Sequence, residues 1–348
     1  MNNETKVLRR GWTTGACATA ATKAALLQLW GGASVEEVSI TLPRGETPDF
    51  TIVEASNGAD WAEAAIIKDA GDDPDVTHGA TIRAKVSLGG TGIRFAAGNG
   101  VGTVTKPGLP IGVGEPAINP VPRQLMRDVV LELAAQFNEE PCVEIEISID
   151  NGAEIALKTW NPRLGIVGGL SVLGTTGVVR PFSCAAWIAS IHRGVDVARA
   201  SAIHHVAGCT GATSERVVRE LYDLPSEAML DMGDFAGGLL KYLRTHPVER
   251  ITIGGGIGKM VKLAQGAVDL HSGRSQVDFE RLAELCSAPD IAEMNTALEV
   301  YEKYGENISS KVAHEALKQV RVQLRDTETK AGVVIINRRG DIIGRASE

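Results

Sequence analysis

Asp69-Ala70-Gly71-Asp72-Asp73-Pro74-Asp75, closely followed by His78, gathers carboxylates and an imidazole on one short stretch of chain. Such a group can supply a general base or bind a cation through oxygen, with Asp72, Asp73 and His78 as the candidates for moving a proton. The same composition suits a solvated turn shaped by Gly71 and Pro74, so both readings stay open. A second set is basic and sits beside rigid turns: Lys106-Pro107, Pro122-Arg123, Pro162-Arg163 and Arg180-Pro181. A planar guanidinium on a stiff loop suits bidentate recognition of carboxylates. Taken singly, each is an ordinary surface charge, and the recurrence is what suggests convergence.

A third set is rich in glycine: Gly208 to Glu215, Asp231 to Asp234, and Gly254 to Lys259. In an open α/β sheet, ligands lie at the carboxyl ends of strands, where loops point backbone N–H groups and helix N-termini at them. Gly208, Thr210, Gly211, Ser214, Gly254, Gly256 and Gly258 are therefore candidate cofactor contacts, and Asp231 or Asp234 can accept from ribose hydroxyls. Tight packing also selects such glycines, and an Asp before a helix is often an N-cap. The third loop is not a Walker A, because Ile253 stands at the first Gly position and Met260 replaces the hydroxyl. Gly98-Asn99-Gly100-Val101-Gly102 spells GxGxG, but an extended, turn-like stretch follows it, so a strand bend is the better reading.

Behind these groups stands a chain of 348 residues with net charge −8 and 44% hydrophobic residues, enough for two domains of roughly 150 residues, each with its own core. Thirty-nine glycines and 4% aromatics point to many tight turns and to cores of Ala, Val, Ile and Leu. The acidic balance argues against general nucleic-acid binding, while local Arg and Lys can still hold an acidic small substrate. The longest uncharged stretch, Leu164 to Val179, is broken by Gly165, Gly168, Gly169, Gly174 and Gly177 and falls short of the roughly 20 apolar residues of a membrane span. No apolar signal region follows the polar first residues, so a cytoplasmic location is expected. Cys17, Cys142, Cys184, Cys209 and Cys286 form no CxxC pair and the histidines no HExxH, which predicts neither a disulfide framework nor a protein metal site.

A helix is predicted from Ala16 to about Trp30, capped by Thr13 or Thr14 and stopped by Gly31-Gly32. Val38 to Leu42, Ala64 to Lys68 and Thr81 to Val86 alternate as strands. Asn119-Pro120 opens a second helix with apolar positions through Phe137, and Val143, Ile145, Ile147 and Ile149 line one face of a strand. These features predict an α+β domain over 1–199. From 200 to 348, short apolar runs alternate with helical periods, predicting an α/β domain with a mainly parallel, Rossmann-like sheet, closed by further helices and a hairpin from Ala331 to Arg345.

Thr13-Thr14-Gly15-Ala16-Cys17-Ala18, the block Lys68 to Thr77, the block Thr105 to Pro110 continuing through Gly114 to Arg123, Asn161 to Gly169, Leu173 to Gly177 and Arg180-Pro181-Phe182-Ser183 together resemble the CbiD family of cobalamin biosynthesis. The resemblance runs in order over nearly the whole chain, with Ala16 where the family often has Thr. It implies transfer of a methyl group from S-adenosylmethionine to ring carbon C1 of cobalt-precorrin-5B, giving cobalt-precorrin-6A, with the cobalt carried by the substrate. It further implies that Thr13, Thr14, Lys106, Arg123, Arg163, Thr175, Thr176 and Arg180 contact the carboxylate-bearing tetrapyrrole, that the C-terminal loops hold S-adenosylmethionine, and that neighbouring pathway enzymes make transient contact. Two readings from other classes remain: a nicotinamide-dependent oxidoreductase using the same loops, and a noncatalytic tetrapyrrole carrier or pathway scaffold that binds the pigment without methylating it. Product mass from labelled S-adenosylmethionine separates the three.

Overall fold

The computed structural model describes residues 8–348. Two compact units emerge, Met1–Ser183 and Cys184–Glu348, each mixing helices and strands. The sequence closes its first domain near Arg199, but the helix Cys184–Ala200 buries Ile191, Val195 and Ala198 in the core of the second unit.

In the first unit, a five-stranded sheet runs in the order Glu54–Asn57, Trp61–Ile67, Thr81–Leu88, Val143–Ile149, Ile93–Ala97; the last pair is parallel and the others antiparallel. Val143, Ile145, Ile147 and Ile149 are all fully buried, so the period-two pattern faces the core, where each such side chain contributes about 1.5–3 kcal/mol. The alanine-rich helix Thr14–Gly31 lies in the same core, and the left-handed Gly32 (φ 76°) ends it. A second helix, Pro120–Phe137, begins with Pro at its first position as expected, though the Asn119 side chain makes no capping hydrogen bond. The first helix places Gly15 against Pro122 and Gly31 against Phe137. Start therefore meets start and end meets end: the two helices run parallel and their dipoles add at one edge.

The GxGxG stretch is a bend, not a ligand loop. Gly100 (φ 77°) turns the chain, and a Cβ on Gly152 or Gly169 would lie 2.3 or 2.2 Å from the Gly100 carbonyl oxygen. Three backbone segments meet there with no side chain between them.

The second unit holds a five-stranded sheet ordered Met229–Leu230, His205–Cys209, Arg250–Gly256, Lys330–Ile336, Ile342–Ser347. Its first three pairings are parallel and the last is antiparallel, formed by the C-terminal hairpin. The helices Ala212–Tyr222, Ala236–Leu243 and Ile257–Ala264 follow the parallel strands, and the long helix Glu306–Leu324 packs its Val312, Ala316 and Val320 into the main core.

Candidate active site

In the first unit, Thr13 caps the first helix, its Oγ1 accepting from the Ala16 N–H at 3.2 Å. The loop Leu173 to Gly177 closes over this end: Gly15 N–H donates to the Leu173 carbonyl and Thr13 N–H to that of Gly177, each at 2.9 Å. Asn119 N–H donates to Val172 at 2.9 Å, so one segment touches both helix starts. Thr13 and Thr14 are buried, Thr176 closes a local turn onto Val178, and Thr175 is exposed on the loop. The loop thus gathers all four threonines of the predicted substrate set. Thr13 already serves the helix cap.

The acidic stretch is a built turn. Gly71 (φ 68°) lets it press against the backbone of Arg9 and Arg10, and Trp12 N–H donates to the Asp69 carbonyl at 2.7 Å. Arg9 forks onto the Asp69 carboxylate and holds it below the usual carboxylate range. Asp72 exchanges two hydrogen bonds with the Arg9 backbone, and Asp73 Oδ1 accepts from Phe182 N–H at 2.8 Å. Both carboxylates therefore tie distant segments together. His78 Nδ1 accepts from the Ala70 N–H at 3.1 Å, which leaves the ring proton for Nε2. Beneath the turn, Lys68 is 2% exposed and bonds Asp75 and the Thr77 hydroxyl. Burial pushes the neighbouring Cys17 thiol up to about 12, so it is an inert core group.

The basic residues fall into different surroundings. The Lys106 side chain lies against Gly165, two residues after Arg163, whose guanidinium sits 4.8 Å from the Trp160 ring centroid. Arg180 is exposed and follows Val178–Val179, the strand paired with Gly11–Trp12 beside the acidic turn. Arg123 differs: its Nε and two terminal nitrogens donate to the Ile118 carbonyl (2.8 Å), Glu115 (2.8 Å) and the Pro116 carbonyl (3.0 Å). It clamps the loop before its own helix, and sequence alone gave no sign of those partners.

In the second unit the three glycine loops do meet at the carboxyl ends of the parallel strands. Lys259 joins them: its ammonium donates to the Thr210 carbonyl at 3.2 Å and lies 2.8 Å from Asp234 Oδ1, at an angle unsuited to a hydrogen bond. A Cβ on Gly211, Gly256 or Gly258 would meet nothing within 4 Å, so these positions border open space at helix starts. Gly208 and Gly254 are absorbed by packing instead: a Cβ there would strike Leu239 at 2.5 Å and Val218 at 2.7 Å. Ser214 is buried and bonds the Gly211 carbonyl, and the Asp231 carbonyl accepts from Trp187 Nε1 at 2.9 Å. Lys259, which the sequence marks only as the last residue of the third loop, ties that loop to the other two.

A concavity of about 1200 Å³ opens at the opposite, amino ends of the strands and is lined by Arg199, His205, Arg244, Arg250, Arg325 and Lys330 among others. Three helices end there, and their carbonyl ends carry partial negative charge. Arg199 and Arg244 donate to the Pro247 and Gln323 carbonyls, so much of its positive lining completes the fold. His205, pushed down to about 4 by burial and by Arg250, hydrogen-bonds Thr252 and stays neutral near pH 7. Among the described residues, no group of three or more His, Cys, Asp or Glu side chains is arranged to hold a metal ion, and no helix is long and apolar enough to cross a membrane.

The profile of the CbiD family matches residues 1–181. A protein of Paramagnetospirillum magneticum named cobalt-precorrin-5B C(1)-methyltransferase is 54% identical over 352 residues, covering 98% of this chain and 99% of its own. One of the same name from Brucella anthropi is 54% identical over 357 residues, covering 99% and 97%. A crystal structure of a cobalamin biosynthesis protein (CbiD) from Archaeoglobus fulgidus is similar at 26% identity and a TM-score of 0.42, covering 85% of this chain and 84% of that one. On the strength of the family profile and the full-length relatives, the chain belongs to the CbiD family.

Proposed function

We propose that the protein methylates ring carbon C1 of cobalt-precorrin-5B with S-adenosylmethionine, forming cobalt-precorrin-6A in cobalamin biosynthesis. The observation that carries this is the 54% identity, over nearly the full length of both chains, to proteins named for that reaction. Incubation with labelled S-adenosylmethionine and cobalt-precorrin-5B is expected to give a product heavier by one methyl in place of one proton. A bound but unmethylated pigment would make the protein a carrier, and consumption of reduced nicotinamide an oxidoreductase. The reading places the enzyme in the cytoplasm, in passing contact with enzymes that make and consume its pigment.

The residues fit both ligands. Lys106, Arg163 and Arg180 are charges suited to the pigment's peripheral carboxylates, and Thr175 offers an exposed hydroxyl beside the helix starts. Arg123, with three nitrogens engaged, keeps the 115–118 loop rigid. The open positions at Gly211, Gly256 and Gly258 suit the donor, with Asp231 and Asp234 near its ribose and Thr210 and Ser214 shaping the first loop; the mainly parallel, Rossmann-like sheet supports this placement. When bound, S-adenosylmethionine supplies an electrophilic methyl group. The ring carbon is nucleophilic through its conjugated nitrogens, so the protein's work is to align the partners and exclude water. Asp72 and Asp73 shape the site, and His78 at most moves a proton.

Gly211 (φ 171°) and Gly256 (φ −73°) have backbones that any residue adopts and space for a side chain. Gly211→Val and Gly256→Val are therefore expected to fold, losing about 1 kcal/mol or less at the caps. Calorimetry is expected to show S-adenosylmethionine bound at least about tenfold more weakly. Unchanged affinity in both folded variants would move the donor site elsewhere.

A further inference from the structure

We infer that Phe182 is the aromatic platform on which the flat face of the tetrapyrrole rests, and that Asp73 is the positioning residue that holds it; this rests on the function proposed above. Phe182 presents a large apolar ring to water, 67% exposed. Its backbone is unusual too. At φ 55° it occupies the left-handed region, an outlier for a bulky side chain, which persists where surrounding structure over-determines it.

That over-determination is visible. Asp73, 109 residues earlier in the chain, accepts the Phe182 N–H at 2.8 Å. Asp73 in turn belongs to the turn that the Arg9 backbone and side chain lock from two sides through Asp72 and Asp69. On the other side, Pro181 stiffens the chain and Val178–Val179 pairs with Gly11–Trp12. An exposed ring is thus mounted on a backbone that cannot readily move.

A ring carried on so fixed a backbone has only its own side-chain torsions to lose on binding and offers a π-face, which suits an extended conjugated macrocycle better than a flexible or charged ligand. Arg180, exposed two residues away, adds a guanidinium for a carboxylate at the macrocycle rim. Val76, 46% exposed on the acidic turn, adds apolar surface. The carboxylate of Asp73, read from sequence as a possible proton acceptor, acts through this ring.

Phe182→Gly separates the role in binding from any role in folding, because glycine adopts the left-handed backbone freely while the ring is lost. In the full-length protein, Phe182→Gly and Phe182→Leu are expected to bind a cobalt-loaded, carboxylate-bearing porphyrin about tenfold more weakly by absorbance titration, with Phe182→Tyr within twofold of the parent. With cobalt-precorrin-5B the glycine variant is expected to raise KM more than it lowers kcat. S-adenosylmethionine affinity and the melting temperature of the glycine variant stay near the parent's. Asp73→Ala is expected to reproduce the weaker pigment binding, and in the Phe182→Gly background to add little to it. Native pigment affinity in Phe182→Gly, beside a parent that methylates normally, overturns this assignment alone. A parent that neither binds nor methylates the pigment overturns it together with the proposed function.

Discussion

Lys68→Met is expected to destabilise the first unit by about 3–5 kcal/mol, because it strips a largely buried carboxylate of its charged partner. Lys68 is 2% exposed, and the Asp75 side chain it bonds is 24% exposed. Asp75 also accepts from the Thr77 N–H at 2.8 Å and the Thr77 hydroxyl at 2.6 Å. In the native protein burial works to raise the Asp75 carboxyl, but the charge and hydrogen bond of Lys68, helped by Thr77, prevail and hold it below the usual range. A carboxyl lowered in the fold contributes its full stability above its unfolded value of about 4, and loses that contribution as pH falls through the folded value. Without Lys68 only the two Thr77 hydrogen bonds oppose burial, and the sign is expected to reverse, since protonation then relieves the variant. The stability gap between native and Lys68→Met should be widest at neutral pH and narrow below about pH 4. Urea midpoints of both proteins at about pH 3 and pH 7 measure this. A gap that stays constant would show that the loss comes from packing alone.

Gly11→Ala is expected to be worse, preventing the first unit from reaching its native form. A Cβ there would sit 2.1 Å from the Ala70 carbonyl carbon, 2.3 Å from the Gly71 nitrogen and 2.4 Å from the Asp69 carbonyl oxygen. All three are backbone atoms of the acidic turn, which Arg9, Trp12 and Phe182 hold in place, so nothing flexible can yield. The penalty exceeds the roughly 1–3 kcal/mol of ordinary overpacking. Gly112→Ala is the control: its nearest neighbour, a Glu115 side-chain carbon, would be 3.5 Å away, and it should shift stability by no more than about 0.5 kcal/mol. Circular dichroism and soluble yield distinguish the pair. A soluble Gly11→Ala protein with a native melting temperature would mean that the acidic turn is less tightly held than these contacts require.

Patterns with a local cause were legible in the sequence. Pro120 and the apolar period through Phe137 gave a helix with those bounds, Gly32 ended the first helix, and Val143 to Ile149 gave one complete strand. The second unit's alternation was legible because the strands His205–Cys209, Met229–Leu230 and Arg250–Gly256 are each followed by a helix. The limit of the first unit was not, since whether the helix Cys184–Ala200 buries Ile191 and Val195 in one core or another depends on distant residues. The groups of the candidate site were chemically conspicuous in the sequence: the threonines, the acidic turn and the glycine loops. Roles set by long-range partners stayed hidden. Arg123 stands beside a rigid turn with nothing to announce Glu115 and the two carbonyls it bonds, Lys259 is only the end of a glycine loop until it spans Thr210 and Asp234, and the glycines at 208 and 254 are silent about Leu239 and Val218.

The meeting of Gly100, Gly152 and Gly169 bears on how the first unit is born. The segments converging there lie 52 (152 − 100) and 69 (169 − 100) residues apart; the first two are brought together by the pairing of Ile93–Ala97 with Val143–Ile149, and the third arrives last. Closing such spans loses entropy before it returns contacts, a cost that rises slowly, with the logarithm of the separation, and slows folding. The nascent chain therefore cannot complete this junction until Gly169 has been synthesised, and its closure is a late event.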